Sequence, residues 1–150
     1  MDEIALVNET TQYIKIRMED ETYGIDIKYI ENIVRMQRIT RVPKTPAYIK
    51  GVINLRGVVV PVISLRLKMG LEEVEETKLF RIIILKIDGD LVGIIVDEVK
   101  EVVTLVNDEI EKPYHSASSG TPNYLLGVGK EGDNLISLLD ITEVMADKSV

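Results

Sequence analysis

The feature of this sequence that most constrains its fold is an internal duplication. The segment Phe80–Val103 overlays the stretch that ends at Val34 without a gap, at a shift of about 69 positions. Farther along, residues 124–128 match residues 48–52 at a shift of about 76 positions, and a polar loop at 115–120 takes up the difference. One pattern is therefore used twice within a chain of 150 residues.

Each copy contains about five short strands separated by turn signals. Five short strands suggest a small closed barrel, because closure removes the exposed strand edges. We therefore predict an all-β fold with short helices, in which two five-stranded β-barrels are related by duplication. The approximate sub-barrels are 13–70 and 80–146 within a single domain spanning 1–150, and exchange of strands between them stays open.

Composition and charge limit the classes of function. The chain has no cysteine, no signal-peptide pattern and no apolar run near the length of a membrane span, so we expect a cytoplasmic protein without direct membrane insertion. The net charge is −7, yet residues 32–71 contain eight lysines and arginines and no acidic residue. A basic region in an acidic protein suits an acidic protein surface better than nucleic acid. The alternative, that these cations only solvate the strands, stays open.

A hairpin within this basic region carries the first candidate binding residue. Asn54-Leu55-Arg56-Gly57 separates two apolar, β-branched runs, which predicts a β-hairpin whose turn uses Gly57 at positive φ. In the second copy the position of Arg56 corresponds roughly to Gly132. The fold does not require an arginine there, so we predict that Arg56 contacts a partner, against the alternative of a solvated turn residue.

Catalytic and metal-binding patterns are absent from the sequence. His115 is the only histidine and has no convergent partner nearby in sequence. Several aspartates could in principle bind a hard cation, but their spacing matches no cation-binding loop: Asp26, Asp88, Asp90, Asp97 and Asp140. We therefore predict no catalytic residue, no metal and no cofactor. A small metal-dependent hydrolase on a β-barrel is the alternative from another class.

Four segments together resemble the CheW family of bacterial chemotaxis adaptors. These are ETYGIDI at 21–27, PAYIKGVINLRGVVVPVISLRLKMG at 46–70, LVGIIVD at 91–97 and YLLG at 124–127. The resemblance runs from about Tyr13 to Ala146 and implies two SH3-like five-stranded barrels without catalysis. It also implies an adaptor that binds the regulatory domain of the histidine kinase CheA and the cytoplasmic hairpin tip of chemoreceptors, at receptor arrays on the inner face of the membrane.

The resemblance also implies which residues bind partners. In the family the receptor helix lies in a groove between the barrels, and Ile30, Arg56 and Gly57 occupy positions of that surface. Val99 aligns with Ile30 in the repeat and is a further candidate member. The alternative is that both belong to the core, as aliphatic residues at helical spacing usually do. The family commonly has a glutamate at the position of Asn32, so this chain departs from the family there. A scaffold for a kinase pathway other than motility is the nearest alternative function.

Overall fold

The chain folds into ten strands and two short α-helices over residues 9–112 and 124–146, which are the residues that this computed structural model describes. Two 3-10 turns, Ile27–Tyr29 and Asn107–Glu109, complete the regular structure of these residues. The elements in chain order are β1 (Thr10–Met18), β2 (Glu21–Asp26), β3 (Ile30–Arg35), β4 (Ile49–Leu55), β5 (Val58–Ser64), α1 (Leu65–Lys68), β6 (Arg81–Ile87), β7 (Asp90–Val96), β8 (Glu98–Val106), β9 (Leu125–Glu131), β10 (Asn134–Leu139) and α2 (Ile141–Met145). The predicted all-β class with short helices is confirmed. Neither described helix is long and apolar enough to cross a membrane.

The strands form two five-stranded sheets with equivalent orders, β8-β1-β2-β10-β9 and β3-β6-β7-β5-β4. In the second sheet β5 runs parallel to β7 and pairs Val62 with Gly93. In the first sheet β10 runs parallel to β2 and pairs Leu138 with Gly24, which are the equivalent residues of the repeat. The structure thus reproduces the duplication at the level of individual residue pairs.

The sheets do not coincide with the approximate sub-barrels 13–70 and 80–146. The first two strands of each copy pair with the last three strands of the other copy, so strands are exchanged between the copies. Accordingly one compact unit contains most of β1, β2, β8, β9 and β10, and the other contains β3 to β7 together with the turn 17–19. The sequence left this pairing open because β2 and β7 are equivalent strands of the repeat, each with a central glycine followed by isoleucine, so local pattern accepts either as partner.

Each unit has its own apolar core. In the unit of β3 to β7 the core is a cluster around inward-facing residues of the sheet, with seven buried members: Ile53, Val60, Val62, Phe80, Ile82, Ile84 and Ile95. In the other unit the corresponding cluster is smaller: Tyr13, Val103, Leu105, Ile136 and Leu138. Alternation along β5 and β10 sends every second side chain into these clusters, which is why β-branched runs form strands here.

Both helices begin with the same capping arrangement. The Ser64 hydroxyl accepts a hydrogen bond from the backbone N–H of Leu67 at 3.2 Å, and the Asp140 carboxylate accepts one from the N–H of Glu143 at 3.2 Å. Serine and aspartate are favoured at this position because they satisfy N–H groups that lack a partner within the helix. Helix α1 directly follows the first hairpin, and Gly70 comes after it with φ of 81°.

Two glycines allow the same close approach of the backbone in the two copies. Thr40 and Val52 exchange two backbone hydrogen bonds of 2.8 Å, and Glu111 and Val128 exchange two of 2.9 and 2.7 Å. A Cβ atom on Gly51 or Gly127, which precede these bonded residues, would collide with the carbonyl oxygen of Thr40 or of Glu111.

Candidate partner-binding site

The β4–β5 hairpin places Arg56 at its tip. Leu55 pairs with Val58, so only Arg56 and Gly57 form the loop. Both loop residues have positive φ, 55° for Arg56 and 85° for Gly57, as a two-residue type I′ hairpin turn requires. The predicted hairpin and the positive φ of Gly57 are confirmed. The left-handed conformation of the arginine is a finding that the sequence pattern did not indicate.

The Arg56 side chain is directed to solvent without a partner inside the unit. Within residues 9–112 and 124–146, its guanidinium forms no hydrogen bond or ion pair. The next two residues, Val58 and Val59, are 48% and 64% exposed, which is unusual for valine in a strand. Arginine is enriched among the residues that dominate protein interfaces, so a free guanidinium at an exposed hairpin tip is a candidate partner contact.

Ile30 and Val99 are both half-buried rather than enclosed in the core. Ile30 begins β3 and pairs with Leu85, immediately before an irregularity in the register. Val99 is the second residue of β8. Both retain surface for a partner, but β3 is the edge of its sheet opposite to β4, so the structure does not bring Ile30 into the strand pair that carries Arg56. Their assignment to the partner-binding site stays a prediction.

Asn32 uses its side chain locally. Its amide oxygen accepts a hydrogen bond from the backbone N–H of Ile33 at 2.8 Å. This bond lies at the irregularity of β3, where Ile30 pairs with Leu85 and Asn32 with Ile84. The local bond gives Asn32 a structural role at the position where the family commonly has a glutamate.

A buried ionic network lies in the unit of β3 to β7, and no pattern in the sequence indicated it. Arg66 in α1 donates to Asp97 at 2.6 Å, to the carboxylate of Glu19, and to the backbone carbonyl of Glu72 at 2.7 Å. The side chains of Arg66 and Asp97 are 6% and 5% exposed. Three hydrogen bonds of one guanidinium thus join the helix, the β1–β2 turn and the connector after α1.

Asp97 is the centre of this network. Its Oδ2 also accepts a hydrogen bond from the backbone N–H of Glu19 at 2.8 Å, and Arg17 lies 4.0 Å from the same oxygen. Its Oδ1 is buried with no hydrogen-bond partner among the described residues. Arg17 in turn pairs with Glu98 at 2.9 Å. Because a buried carboxylate needs a compensating cation, this arrangement serves stability, and nothing in it resembles a catalytic pair.

A second buried cation, Lys15, lies in the other unit. Its ammonium contacts Glu101 at 2.6 Å and Glu131 at 2.5 Å. The hydrogen bond to Glu101, followed by that to Glu131, raises the pKa of Lys15 above its ordinary value. The same hydrogen bond lowers the pKa of Glu101. The stem of Lys15 is covered while its charged end reaches the two carboxylates, as long basic side chains commonly do.

The described residues offer little for small-molecule chemistry. No group of three or more histidine, cysteine, aspartate or glutamate residues among them could hold a metal ion. A cavity of about 190 Å³ lies near α1, and its lining includes Arg66, Lys50, Ser64 and Glu73. Arg66 is held by the ionic network, Lys50 pairs with Glu73, and Ser64 caps α1. His115 lies outside the described residues.

Comparison with known proteins identifies the family. The family described as CheW-like domain matches residues 12–149. This chain belongs to the CheW family. It is 36% identical to the chemotaxis protein CheW of Helicobacter pylori over 137 residues, which cover 91% of this chain and 82% of that protein. It is 37% identical to the chemotaxis protein CheW of Bacillus subtilis over 136 residues, with 91% and 87% covered.

A solved structure agrees with this assignment. The crystal structure of the scaffolding protein TtCheW from Thermoanaerobacter tengcongensis is similar to this chain with a TM-score of 0.84 and 32% identity, over 93% of this chain and 95% of that one. Members of the CheW family are adaptors of chemotaxis and not enzymes, so the predicted resemblance and the prediction of a non-enzymatic adaptor are confirmed. The hydrolase alternative has no support from these relatives.

Proposed function

We propose that this chain couples the histidine kinase CheA to chemoreceptors by binding both at once. One surface takes the regulatory domain of the kinase and another takes the cytoplasmic hairpin tip of a receptor, in the cytoplasm at receptor arrays. Simultaneous binding raises the effective concentration of one partner at the other and fixes their geometry, so no catalysis is needed. Family membership supports the adaptor role, and we propose CheA and the chemoreceptor as its two partners.

The assignment of the binding site rests on one observation, the exposure and backbone conformation of Arg56. It is exposed, has no partner among residues 9–112 and 124–146, and holds a left-handed backbone that arginine disfavours. It also lies in the segment 32–71, which contains no acidic residue. An arginine in an unfavourable backbone conformation suggests a functional reason for its presence. Its guanidinium can bind a carboxylate or a backbone carbonyl on a partner. We extend the site to Gly57, Ile30 and Val99 as further partner contacts.

Replacing Arg56 with alanine tests the site. We expect the affinity for a chemoreceptor hairpin fragment or for the kinase regulatory domain to fall by about 2 kcal/mol, roughly thirtyfold in Kd, as for truncation of an interface hot spot. The melting temperature should hardly change, because the side chain is exposed and has no hydrogen bond or ion pair among residues 9–112 and 124–146. Affinities measured by titration calorimetry, with each partner separately, give both numbers.

The matched control is Arg38→Ala, which removes the same charge from an exposed position in the same basic segment. An equal loss for Arg38→Ala would show that general attraction, rather than a site at the hairpin, governs binding. Unchanged affinity of Arg56→Ala for both partners would refute the assignment of the hairpin as a binding site.

A further inference from the structure

The hairpin that carries Arg56 uses an unfavourable residue for its own turn. Both copies of the repeat have positive φ at this position, 55° at Arg56 and 63° at Gly132. Glycine adopts this conformation without steric cost, whereas an L-residue with a long side chain is disfavoured in it. One copy thus has the residue that this φ favours, and the other holds an arginine at a similar φ. The next loop residue differs, since Gly57 has φ of 85° whereas Asp133 is not at positive φ. Another local interaction can offset this conformational cost in the first turn.

That interaction comes from Asn54. Its amide oxygen accepts a hydrogen bond from the backbone N–H of Gly57 at 2.8 Å. The bond spans the turn from the residue before Leu55 to the residue after Arg56, so it closes a small ring around the arginine. Asparagine side chains commonly stabilise turns in this way. The position equivalent to Asn54 in the second hairpin is Lys130. The Asn54–Gly57 hydrogen bond, which we call the clamp, therefore belongs to the copy that has the arginine.

We propose that Asn54 is a positioning residue, which holds the backbone of Arg56 in its left-handed conformation and so directs the guanidinium towards the partner. The proposal rests on the proposed function of Arg56 and adds to it a second residue that contacts no partner itself. Loss of the clamp leaves the arginine in place but lets its turn adopt other conformations. Binding must then bear the cost of ordering it.

A double-mutant cycle separates positioning from direct contact. The variants Asn54→Ala, Arg56→Ala and the double variant are titrated with a chemoreceptor hairpin fragment. We expect Asn54→Ala to raise Kd about two- to tenfold when Arg56 is present, the range for loss of one hydrogen bond. In the Arg56→Ala background the same change should alter Kd less than about twofold, because nothing remains to be positioned.

Two further variants provide the controls. Asn134→Ala removes an exposed asparagine from the second hairpin and should leave Kd unchanged. Arg56→Gly should raise Tm by about 2–4 °C, because glycine relieves the disfavoured backbone, while weakening binding as Arg56→Ala does. A rise in stability together with a loss of affinity is the opposite of what a merely structural turn residue would show.

The outcomes distinguish this inference from the function on which it rests. An equal loss of affinity on Asn54→Ala in both backgrounds, or no loss in either, overturns the positioning role while leaving Arg56 as a contact. If Arg56→Ala itself does not change Kd, Arg56 is not a contact for the receptor fragment, and the positioning role fails with that assignment. Melting temperatures of all variants show whether any loss of binding comes from loss of the folded hairpin.

Discussion

Replacing Arg66 with methionine tests whether its guanidinium is what makes the burial of Asp97 tolerable. Methionine retains an unbranched apolar stem but carries no charge and donates no hydrogen bond. In this variant Asp97 keeps the backbone N–H of Glu19 at 2.8 Å, and its nearest cation is Arg17 at 4.0 Å. The carboxylate is 5% exposed, so water cannot replace the lost partner.

The loss in the free energy of unfolding depends on which of the former partners of Arg66 can be solvated in the variant. Removal of one partner from a buried ion pair costs about 3–5 kcal/mol, because it leaves an uncompensated charge. The side chain of Glu19 is 47% exposed and can be solvated again, so its lost contact with Arg66 adds little. The freed carbonyl of Glu72 adds about 1 kcal/mol at most. We therefore expect a loss of about 3–5 kcal/mol, which lowers Tm by about 6–20 °C in a chain of this length.

Urea unfolding of four proteins provides the assay: wild type, Arg66→Met, Asp97→Asn and the double variant. Far-UV circular dichroism and calorimetry are compared, because two compact units can unfold in separate steps. The double variant should be more stable than Arg66→Met alone, since asparagine removes the isolated charge. Lys50→Met is the control, because it breaks a partly exposed ion pair with Glu73 and should cost less than about 1 kcal/mol. Additive losses in the double variant would refute the reasoning.

Two further predictions concern the second buried cation and a glycine of the repeat. Because the pKa of Glu101 is lowered, its contact with Lys15 stabilises the fold at pH values above the ordinary glutamate pKa of about 4.3. This stabilisation is lost as the pH falls through the lowered pKa of Glu101. Because the pKa of Lys15 is raised, the stabilisation is also lost as the pH rises through that pKa. The stability difference between wild type and Lys15→Met should therefore be larger at pH 7 than at pH 3, as measured by urea unfolding, and a constant difference would contradict this. Gly51→Ala should lower the free energy of unfolding by about 2–4 kcal/mol, because the φ of 143° and the carbonyl of Thr40 both exclude a Cβ atom. Gly127→Ala should lower it less, because Gly127 is not at positive φ. Equal losses of stability in thermal unfolding would count against the role of φ.

The sequence predicted the elements of this fold well and their partners poorly. Strands such as β1 and β5 are visible because their alternation is a local property, and α1 is visible because it lies between a capping serine and Gly70. Pairing is a different matter. Strand β5 could have paired with β2 or with β7, since both have a central glycine followed by isoleucine, and only the three-dimensional structure shows that its partner is β7.

The candidate site divides in the same way. Arg56 could be found from the sequence, because comparison of the two copies shows an arginine where the fold accepts Gly132. The Arg66–Asp97 pair could not, because the two residues are 31 positions apart and each looks like an ordinary surface charge at the end of an apolar run. The left-handed backbone of Arg56 was equally hidden, since the glycine beside it already satisfies the usual expectation for a turn.

Duplication gives these differences their meaning. Where both copies have the same interaction, such as the helix caps Ser64 and Asp140, the shared fold is sufficient to explain it. Where one copy departs from the residue that its backbone favours, the departure lowers stability and needs a separate reason. Arg56 meets that condition at an exposed hairpin tip, and Asn54 offsets the cost locally. An arginine at positive φ in one hairpin, where the other hairpin has a glycine, is thus the strongest physical argument that the first hairpin binds a partner.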